Sequence, residues 1–378
     1  MAYQKKRGFT LVELAAVIGA TTLITSAVMP AAKRARQQNR GLGSASNLMQ
    51  IGQGAGMYGV DNADRIPNYS VGRDLGGLVF DYDIGGGAEA RVRDDITGAA
   101  AQNAEILRRR TGRYDGEFEI RFYAGRLWNR RYTNLIIMDY LDRPFPDPMF
   151  IDPADANQLS WAADPLNFGP GSGVPYAAFF PDWDNIPPGY DGDGNWLRAQ
   201  VRNRWAFAPS YAVTSHAWQP DGFSGEASFH PVATTPHLLG DNDPSTDITS
   251  TIDTSSGRRF VEVRFPSAKV YYFEEHDREQ AGSPYFAYDH ARPDKLMFDG
   301  SVNNWASGDA NASVNADEIR DKVPWVQTYL PLDTFPIPLG GLGDDTLLSQ
   351  RYRWTFLGLK GVDYPMPIMG SNAGRSGR

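Results

Sequence analysis

Residues 9–66 contain two different patterns of apolar positions. Residues 9–29 are apolar almost throughout, and Glu13 is the only charged residue among them. As a helix, these 21 residues would span about 31 Å, close to the hydrocarbon thickness of a bilayer. Pro30 follows directly and is expected to kink the helix. The run therefore predicts a helix that is long enough to cross a membrane.

The second pattern is amphipathic. Between positions 47 and 60, apolar residues recur at helical spacing, at Leu48, Ile51, Ala55 and Tyr58. Gly52, Gly56 and Gly59 lie on the adjoining strip, and each costs up to about 1 kcal/mol in a helix interior. This part of the helix therefore needs a packing partner, and its smooth strip would allow a sheet to approach closely. The two patterns together predict one helix over 9–66.

Helical and strand periods alternate in the remainder of the chain. They predict helices over 96–110 and 126–141, strands over 117–123 and 353–359, a strand pair formed by 259–266 and 269–274, and a hairpin over 296–305. Asp299-Gly300 suits a two-residue turn with positive φ at both positions. The fold class expected is α+β, with a long N-terminal hydrophobic helix packed on an antiparallel sheet. The head would cover 67–369, with a candidate insertion at 170–258 and a flexible tail at 370–378.

Composition excludes several classes of protein. The chain of 378 residues is 41% hydrophobic, so the head can bury a substantial core. It contains no cysteine, which excludes a disulfide framework. The net charge is −8, and no basic block follows Arg40, so nucleic acid is not expected as a partner.

A short basic segment precedes the apolar run. Lys5, Lys6 and Arg7 are followed by Gly8, Phe9 and, four positions later, Glu13. This segment resembles the class III signal of type IV pilins and type II secretion pseudopilins. The resemblance implies that prepilin peptidase recognises residues 5–7, cuts after Gly8 and methylates Phe9. It also implies that the leader, residues 1–8, lies in the cytoplasm.

Glu13 is the residue with the clearest assembly role in this resemblance. An ionised carboxylate inside the hydrocarbon costs on the order of 3 kcal/mol, so it needs a partner. In the pilin family, the amino terminus of one subunit, here Phe9, pairs with the acidic residue of its neighbour. The alternative is an uncleaved single-pass anchor whose Glu13 stays hydrated near the membrane surface.

Later motifs are similar to those of an H-x9-DG subgroup of pseudopilin-like proteins. The helix end carries Asn47-Leu-Met-Gln-Ile-Gly-Gln53 and Ile66-Pro67, and His290 precedes Asp299-Gly300 with one residue fewer than the subgroup pattern. Asp152 stands where the subgroup tends to have a cysteine.

Some residues allow a catalytic or metal-binding interpretation as well as a structural one. His290 and Asp299 could form a dyad, but no nucleophile motif such as Gly-x-Ser-x-Gly accompanies them, so a structural role is expected. The five histidines do not have zinc-ligand spacing. Oxygen ligands for calcium are clustered in two loops, at Asp191, Asp193, Asn195, Asp241 and Asp243. Neither loop matches an EF-hand, and no other cofactor is expected.

The sequence therefore predicts a non-enzymatic filament subunit, either a pilin or a pseudopilin. Its partners would be like or unlike filament subunits, prepilin peptidase and the inner membrane. The chain would cross that membrane once, with a periplasmic head, before entering a periplasmic or extracellular filament. The alternatives are a membrane-tethered module whose 170–258 region binds polysaccharide, and a tethered hydrolase.

Overall fold

The computed structural model describes residues 10–69, 80–85, 88–92, 95–115, 119–120, 132–141, 144–165, 207–218, 257–280, 282–312, 327–328, 347–348, 351–355 and 357–365. Its helices are α1 (Leu11–Asp61), α2 (Asp95–Thr111), α3 (Asn134–Ile137) and α4 (Ala156–Ala163). Its strands are β1 (Phe80–Gly85), β2 (Ala88–Val92), β3 (Tyr211–Val213), β4 (Val270–Glu274), β5 (Lys295–Met297), β6 (Val302–Asn303), β7 (Gln327–Thr328) and β8 (Leu347–Leu348). The fold is α+β, as expected.

The central sheet is antiparallel, in the order β3-β4-β5-β6. β1 pairs with β2, and β7 pairs with β8, in two separate two-stranded sheets. β3 falls inside the segment 170–258 that the sequence suggested as an insertion, so part of that segment belongs to the core of the head. The predicted hairpin over 296–305 is present as β5 and β6, and the strand predicted over 269–274 is β4.

Both faces of the central sheet are buried. Tyr211, Val213 and Leu296 face the core that contains α1, whereas Ala212 and Met297 face a second core. A bulge interrupts the pairing of β4 and β5 between Val270 and Tyr272. Because a bulge inserts one extra residue, the consecutive residues Tyr271 and Tyr272 both reach the core of α1.

The second half of α1 is an integral part of the head. Leu48, Ile51 and Ala55 are fully buried in the same core as the sheet residues. The close approach expected along the glycine strip occurs at two of its three positions. A Cβ on Gly52 would lie 3.1 Å from a methyl carbon of Leu296, and one on Gly59 would lie 2.9 Å from the ring of Phe260, whereas Gly56 faces open space.

The end of α1 differs from the prediction. The helix ends at Asp61, five residues before Ile66, because Asn62 caps it through two hydrogen bonds to the carbonyl of Tyr58. Ala63 and Asp64 then adopt positive φ values of 56° and 66°, which cannot continue a right-handed helix. Pro30 lies inside the continuous helix.

Two predicted strands are wrong. The segment predicted as a strand over 259–266 contains a 3₁₀ turn at Phe260–Glu262, because the amide of Phe260 bonds to the carbonyl of Asp64 and the segment covers the end of α1. Of the described residues in 353–359, two belong to the 3₁₀ turn Arg351–Trp354 and two to the 3₁₀ turn Gly358–Lys360, and Leu357 has a φ of 66°, which a strand does not allow.

The other two helix predictions have different outcomes. The helix over 96–110 is confirmed as α2, and Gly112 follows it with a φ of 72°. Of the helix predicted over 126–141, residues 126–131 lie outside the described residues, and the described remainder contains α3 and a 3₁₀ turn at Met138–Tyr140. Residues 119–120 are described outside any strand, and the remainder of 117–123 lies outside the described residues, as do the leader 1–8, Phe9 and the tail 370–378.

Candidate functional site

The start of α1 is a self-contained polar cap. Thr10 precedes the helix, and its backbone amide and hydroxyl both donate to the Glu13 carboxylate, at 2.8 and 2.9 Å. The Glu13 amide donates back to the Thr10 hydroxyl at 3.2 Å. This arrangement is a capping box, which satisfies amides that have no partner within the helix. The carboxylate therefore has local partners in the single chain.

The apolar part of α1 is exposed on all sides. Large apolar side chains that are at least half exposed lie along it, at Leu11, Val12, Leu14, Val17, Ile18, Leu23, Ile24, Val28 and Met29. Its length and composition suffice for crossing a membrane, which is compatible with a membrane anchor and also with a signal sequence. Lys33, Arg34, Arg36 and Arg40 follow on the same helix, and all four are exposed.

A group of acidic residues lies where α1 meets the head. Asp152, Glu274 and Glu279 bring one carboxylate oxygen each within 4.8 Å of one another. Asp294 lies beside them: its backbone amide donates to the second oxygen of Glu274 at 3.1 Å, and, in addition to burial, its negative charge raises the pKa of Glu274 and of Glu279. We refer to these four residues as the carboxylate cluster. Asp152 and Glu274 are fully buried.

The carboxylate cluster is attached directly to α1. The Ser44 hydroxyl donates a short hydrogen bond to Glu274, and the Gln37 amide group donates to the carbonyl oxygen of Glu279 at 3.1 Å. A Cβ on Gly43 would lie 2.9 Å from Pro153, so the helix backbone passes very close to the loop that carries Asp152. The cluster is thus a structural junction between the helix and the head.

Positive charge only partly compensates for the cluster. Arg278 approaches Asp152 at 3.5 Å, but it makes its closer ion pair with Asp155, at 2.7 Å. Lys295 is buried, yet its ammonium group donates to the carbonyl oxygens of Pro293 and Trp305, at 2.6 and 2.8 Å. The positive charges of Arg278 and Lys295 oppose the rise that burial causes in the pKa of Asp152 and of Asp294, so the repulsion among the buried carboxylates is offset only in part.

Burial and this repulsion change the acidity of the cluster. Burial, together with the negative charge of Asp152, raises the pKa of Glu279 to about 7. Burial raises the pKa of Asp294 to about 6, and it raises the pKa of Glu274 well above its ordinary value. Burial also raises the pKa of Asp152, although Arg278 opposes the shift. The fold thus favours protonated carboxyl groups at this junction.

The motif residues His290, Asp299 and Gly300 form no catalytic dyad. His290 is exposed and its ring lies 5.9 Å from that of Tyr288, whereas Asp299 accepts hydrogen bonds from the amide and hydroxyl of Ser301. Among the described residues, no hydrogen bond or ion pair joins His290 to Asp299. Asp299 instead holds the turn through Ser301.

The turn at Asp299 differs from the predicted two-residue type. The amide of Gly300 bonds to the carbonyl of Met297, the amide of Met297 bonds to the carbonyl of Ser301, and only Gly300 has a positive φ, of 85°. The loop therefore has three residues, with glycine supplying the left-handed position. Asp299 was expected to share that conformation, and this detail is wrong.

Sequence reasoning missed the carboxylate cluster. Its members are separated by up to 142 positions, so no local spacing connects them. Two signals were available: Asp152 stands where the subgroup that the sequence resembles tends to have a cysteine, and Glu274 ends an apolar strand. The loop candidates for calcium, Asp191, Asp193, Asn195, Asp241 and Asp243, lie outside the described residues, as do Lys5, Lys6, Arg7, Gly8 and Phe9.

Comparisons of the chain with protein-family models, with curated proteins and with solved structures found no match. The functional conclusion therefore depends on the chain's own residues.

Proposed function

We propose that the chain is a structural subunit of a filament of the type IV pilus or type II secretion class. The observation that carries this proposal is the contrast between the two halves of α1. The second half is buried in its own head, whereas the first half exposes apolar side chains in every direction. Such a surface requires lipid before assembly and other helices after it.

The basic leader and Glu13 support this class over a simple anchor. Prepilin peptidase would recognise Lys5, Lys6 and Arg7, cut after Gly8 and methylate Phe9. The new amino terminus of one subunit would then pair with Glu13 of its neighbour, which compensates the buried charge inside the filament. Before assembly, the capping box with Thr10 gives this carboxylate temporary partners.

The location follows from the same residues. The chain would cross the inner membrane once, with its leader in the cytoplasm and its head in the periplasm. Assembly would then move the apolar half of α1 from lipid into the filament core. Before assembly, the exposed basic residues after Pro30 would lie at the periplasmic surface of the inner membrane.

Substitution of Glu13 tests the proposal. We expect Glu13→Ala and Glu13→Gln to insert into the membrane normally, because each removes a costly charge, and to lose or disorder the filaments. Glu13→Gln separates the charge from the hydrogen bonding of the capping box. Thr25→Ala, on the exposed apolar half, is the matched control. Filament yield would be compared by imaging purified surface filaments.

Mass spectrometry of the N-terminal peptide provides the second measurement. We expect the mature chain to begin at N-methylated Phe9 in a host with active prepilin peptidase. Normal filaments from Glu13→Gln, or a mature chain that still begins at Met1 or Ala2, would contradict the proposal and favour an uncleaved anchor.

A further inference from the structure

We propose that the carboxylate cluster is a pH-dependent latch that fastens the second half of α1 to the head when its carboxyl groups share protons and loosens when they ionise. The latch does not depend on filament assembly. It follows from the placement of four acidic side chains at one structural junction.

The acidic side chains of the latch lie close together. Three carboxylates lie within 4.8 Å of one another, and a carboxylate at this distance from another favours the state in which one of them keeps its proton. One oxygen of Glu279 and one of Asp294 are buried and have no hydrogen-bond partner among the described residues. A proton on either carboxyl group would supply a donor to a cluster whose ionised members only accept.

Positive charge around the latch is limited. The titratable and charged side chains that face it from the surrounding elements are Tyr211, Asp155, Asp277, Arg278, Arg292 and Lys295. Arg278 is shared between Asp152 and Asp155, and Lys295 bonds to backbone carbonyls. Fixed cations are therefore too few to balance a fully ionised cluster, and protons complete the balance.

Hydrogen bonds connect the latch to α1. The carboxylate of Glu274 accepts a hydrogen bond from the Ser44 hydroxyl. The backbone carbonyl of Glu279 accepts one from the side-chain amide of Gln37. Ionisation of the cluster would force apart the 152–155 loop, the end of β4 and the 277–280 turn, which all contact this stretch of the helix. The expected response is a local opening between residues 37 and 47 of α1 and the head.

The sign of the pH effect follows from the raised acidities. Folding raises the pKa of Glu279 from 4.5 to about 7 and that of Asp294 from 3.8 to about 6. The folded chain thus binds protons that the unfolded chain has released. The stabilisation is complete below the unfolded values and is lost as the pH rises through about 6 to 7.

Two buried bases act in the opposite direction. Burial lowers the pKa of His276 to about 3, so the unfolded chain takes up the extra proton between that value and 6.5. Burial also lowers the pKa of Lys295 to about 7. Above that pH the unfolded chain again binds the extra proton, so this group also makes stability rise with pH. The latch is therefore tested by comparing the pH dependence of the melting temperature between a cluster variant and the original chain.

The experiment uses the full chain in detergent micelles between pH 5 and pH 7.5. We expect the melting temperature of the original chain minus that of Glu279→Gln to fall across this range. Each proton released should change the unfolding equilibrium up to about tenfold per pH unit. Asp61→Asn, which removes an exposed carboxylate outside the cluster, is the control and should parallel the original chain.

Two measurements on the original chain do not depend on variant folding. Infrared spectroscopy of the original chain should show a protonated carboxyl band that weakens as the pH rises through 7. Hydrogen exchange should accelerate over the same range in residues 37–47 of α1 more than in α2.

Three results would overturn the latch. The first is an identical pH dependence of the melting temperature in Glu279→Gln and the original chain. The second is an infrared spectrum without a titrating carboxyl band. The third is a melting temperature at pH 7.5 that calcium raises and a chelator lowers in the original chain but not in Glu279→Gln, because a cation would then occupy the place assigned to protons.

Discussion

At the scale of single residues, Gly300 is the position where backbone conformation dominates. Its φ is 85°, and a Cβ added there would contact no other group within 4 Å. The cost of a side chain is therefore purely conformational. We expect Gly300→Val to destabilise the folded chain by roughly 1–2 kcal/mol, measured by thermal unfolding in detergent.

Asp299→Asn and His290→Ala are the matched controls for this prediction. An asparagine at position 299 keeps an oxygen that can accept from Ser301, and His290 is exposed, so each change should remain within about 0.5 kcal/mol. A harmless Gly300→Val would show that the turn tolerates other conformations. Loss of a hydrolytic or metal-binding activity in His290→Ala would revive the tethered hydrolase.

At the scale of an element, the glycines of α1 separate helix propensity from packing. We expect Gly56→Ala to stabilise the chain by up to about 1 kcal/mol, since the site is open and alanine favours the helix. Gly59→Ala should destabilise it, because the new methyl group would lie 2.9 Å from the ring of Phe260. Chemical unfolding of both variants measures the two effects. Stabilisation by both would mean that Phe260 moves freely.

Elements with a long or strong local period were predictable. The amphipathic half of α1 follows from apolar spacing, α2 from the helix-favouring alanines at 99–101 and the glycine that ends it, and the hairpin of β5 and β6 from Asp299-Gly300. The apolar residues at 259–266 also alternate like a strand, but long-range contacts with the end of α1 determine their conformation. The three-residue strand β3 is too short to produce a period, although it forms an edge of the sheet.

The candidate site divides in the same way. Glu13 is recognisable because a charge within an apolar run violates a local pattern. Asp152, Glu274 and Glu279 violate no such pattern, since acidic residues at loops and strand ends are common. Their significance arises from burial and proximity, which depend on the packing of three distant segments.

At the scale of the whole molecule, buried ion pairs attach the C-terminal segment to the sheet. Arg353 lies 2.7 Å from Glu275, and Lys269 lies 3.2 Å from Asp363, with all four side chains at most 1% exposed. The amide of Val270 also donates to Asp363 at 2.8 Å. Residues 351–355 and 357–365 thus close the second core over β4.

Arg353 provides a test of this closure. We expect Arg353→Met to cost about 3–5 kcal/mol, because it leaves Glu275 as a buried charge without its ion pair. Adding Glu275→Gln should recover a substantial part, since the remaining charge is removed. A double-mutant cycle of unfolding free energies measures the coupling. Strictly additive costs would show that the pair does not stabilise the C-terminal segment.

The continuity of α1 through Pro30 also has a rotational consequence. Because one helix carries both Glu13 and the residues that hold the head, the angle between them around the helix axis is determined by the number of intervening residues. Inserting one residue near Arg36 would turn the head by about 100° relative to Glu13 and move it about 1.5 Å along the axis. Inserting seven residues would restore the angle to within about 20° while moving the head by roughly 10 Å. The length of this connecting stretch therefore determines the direction that the head faces relative to Glu13.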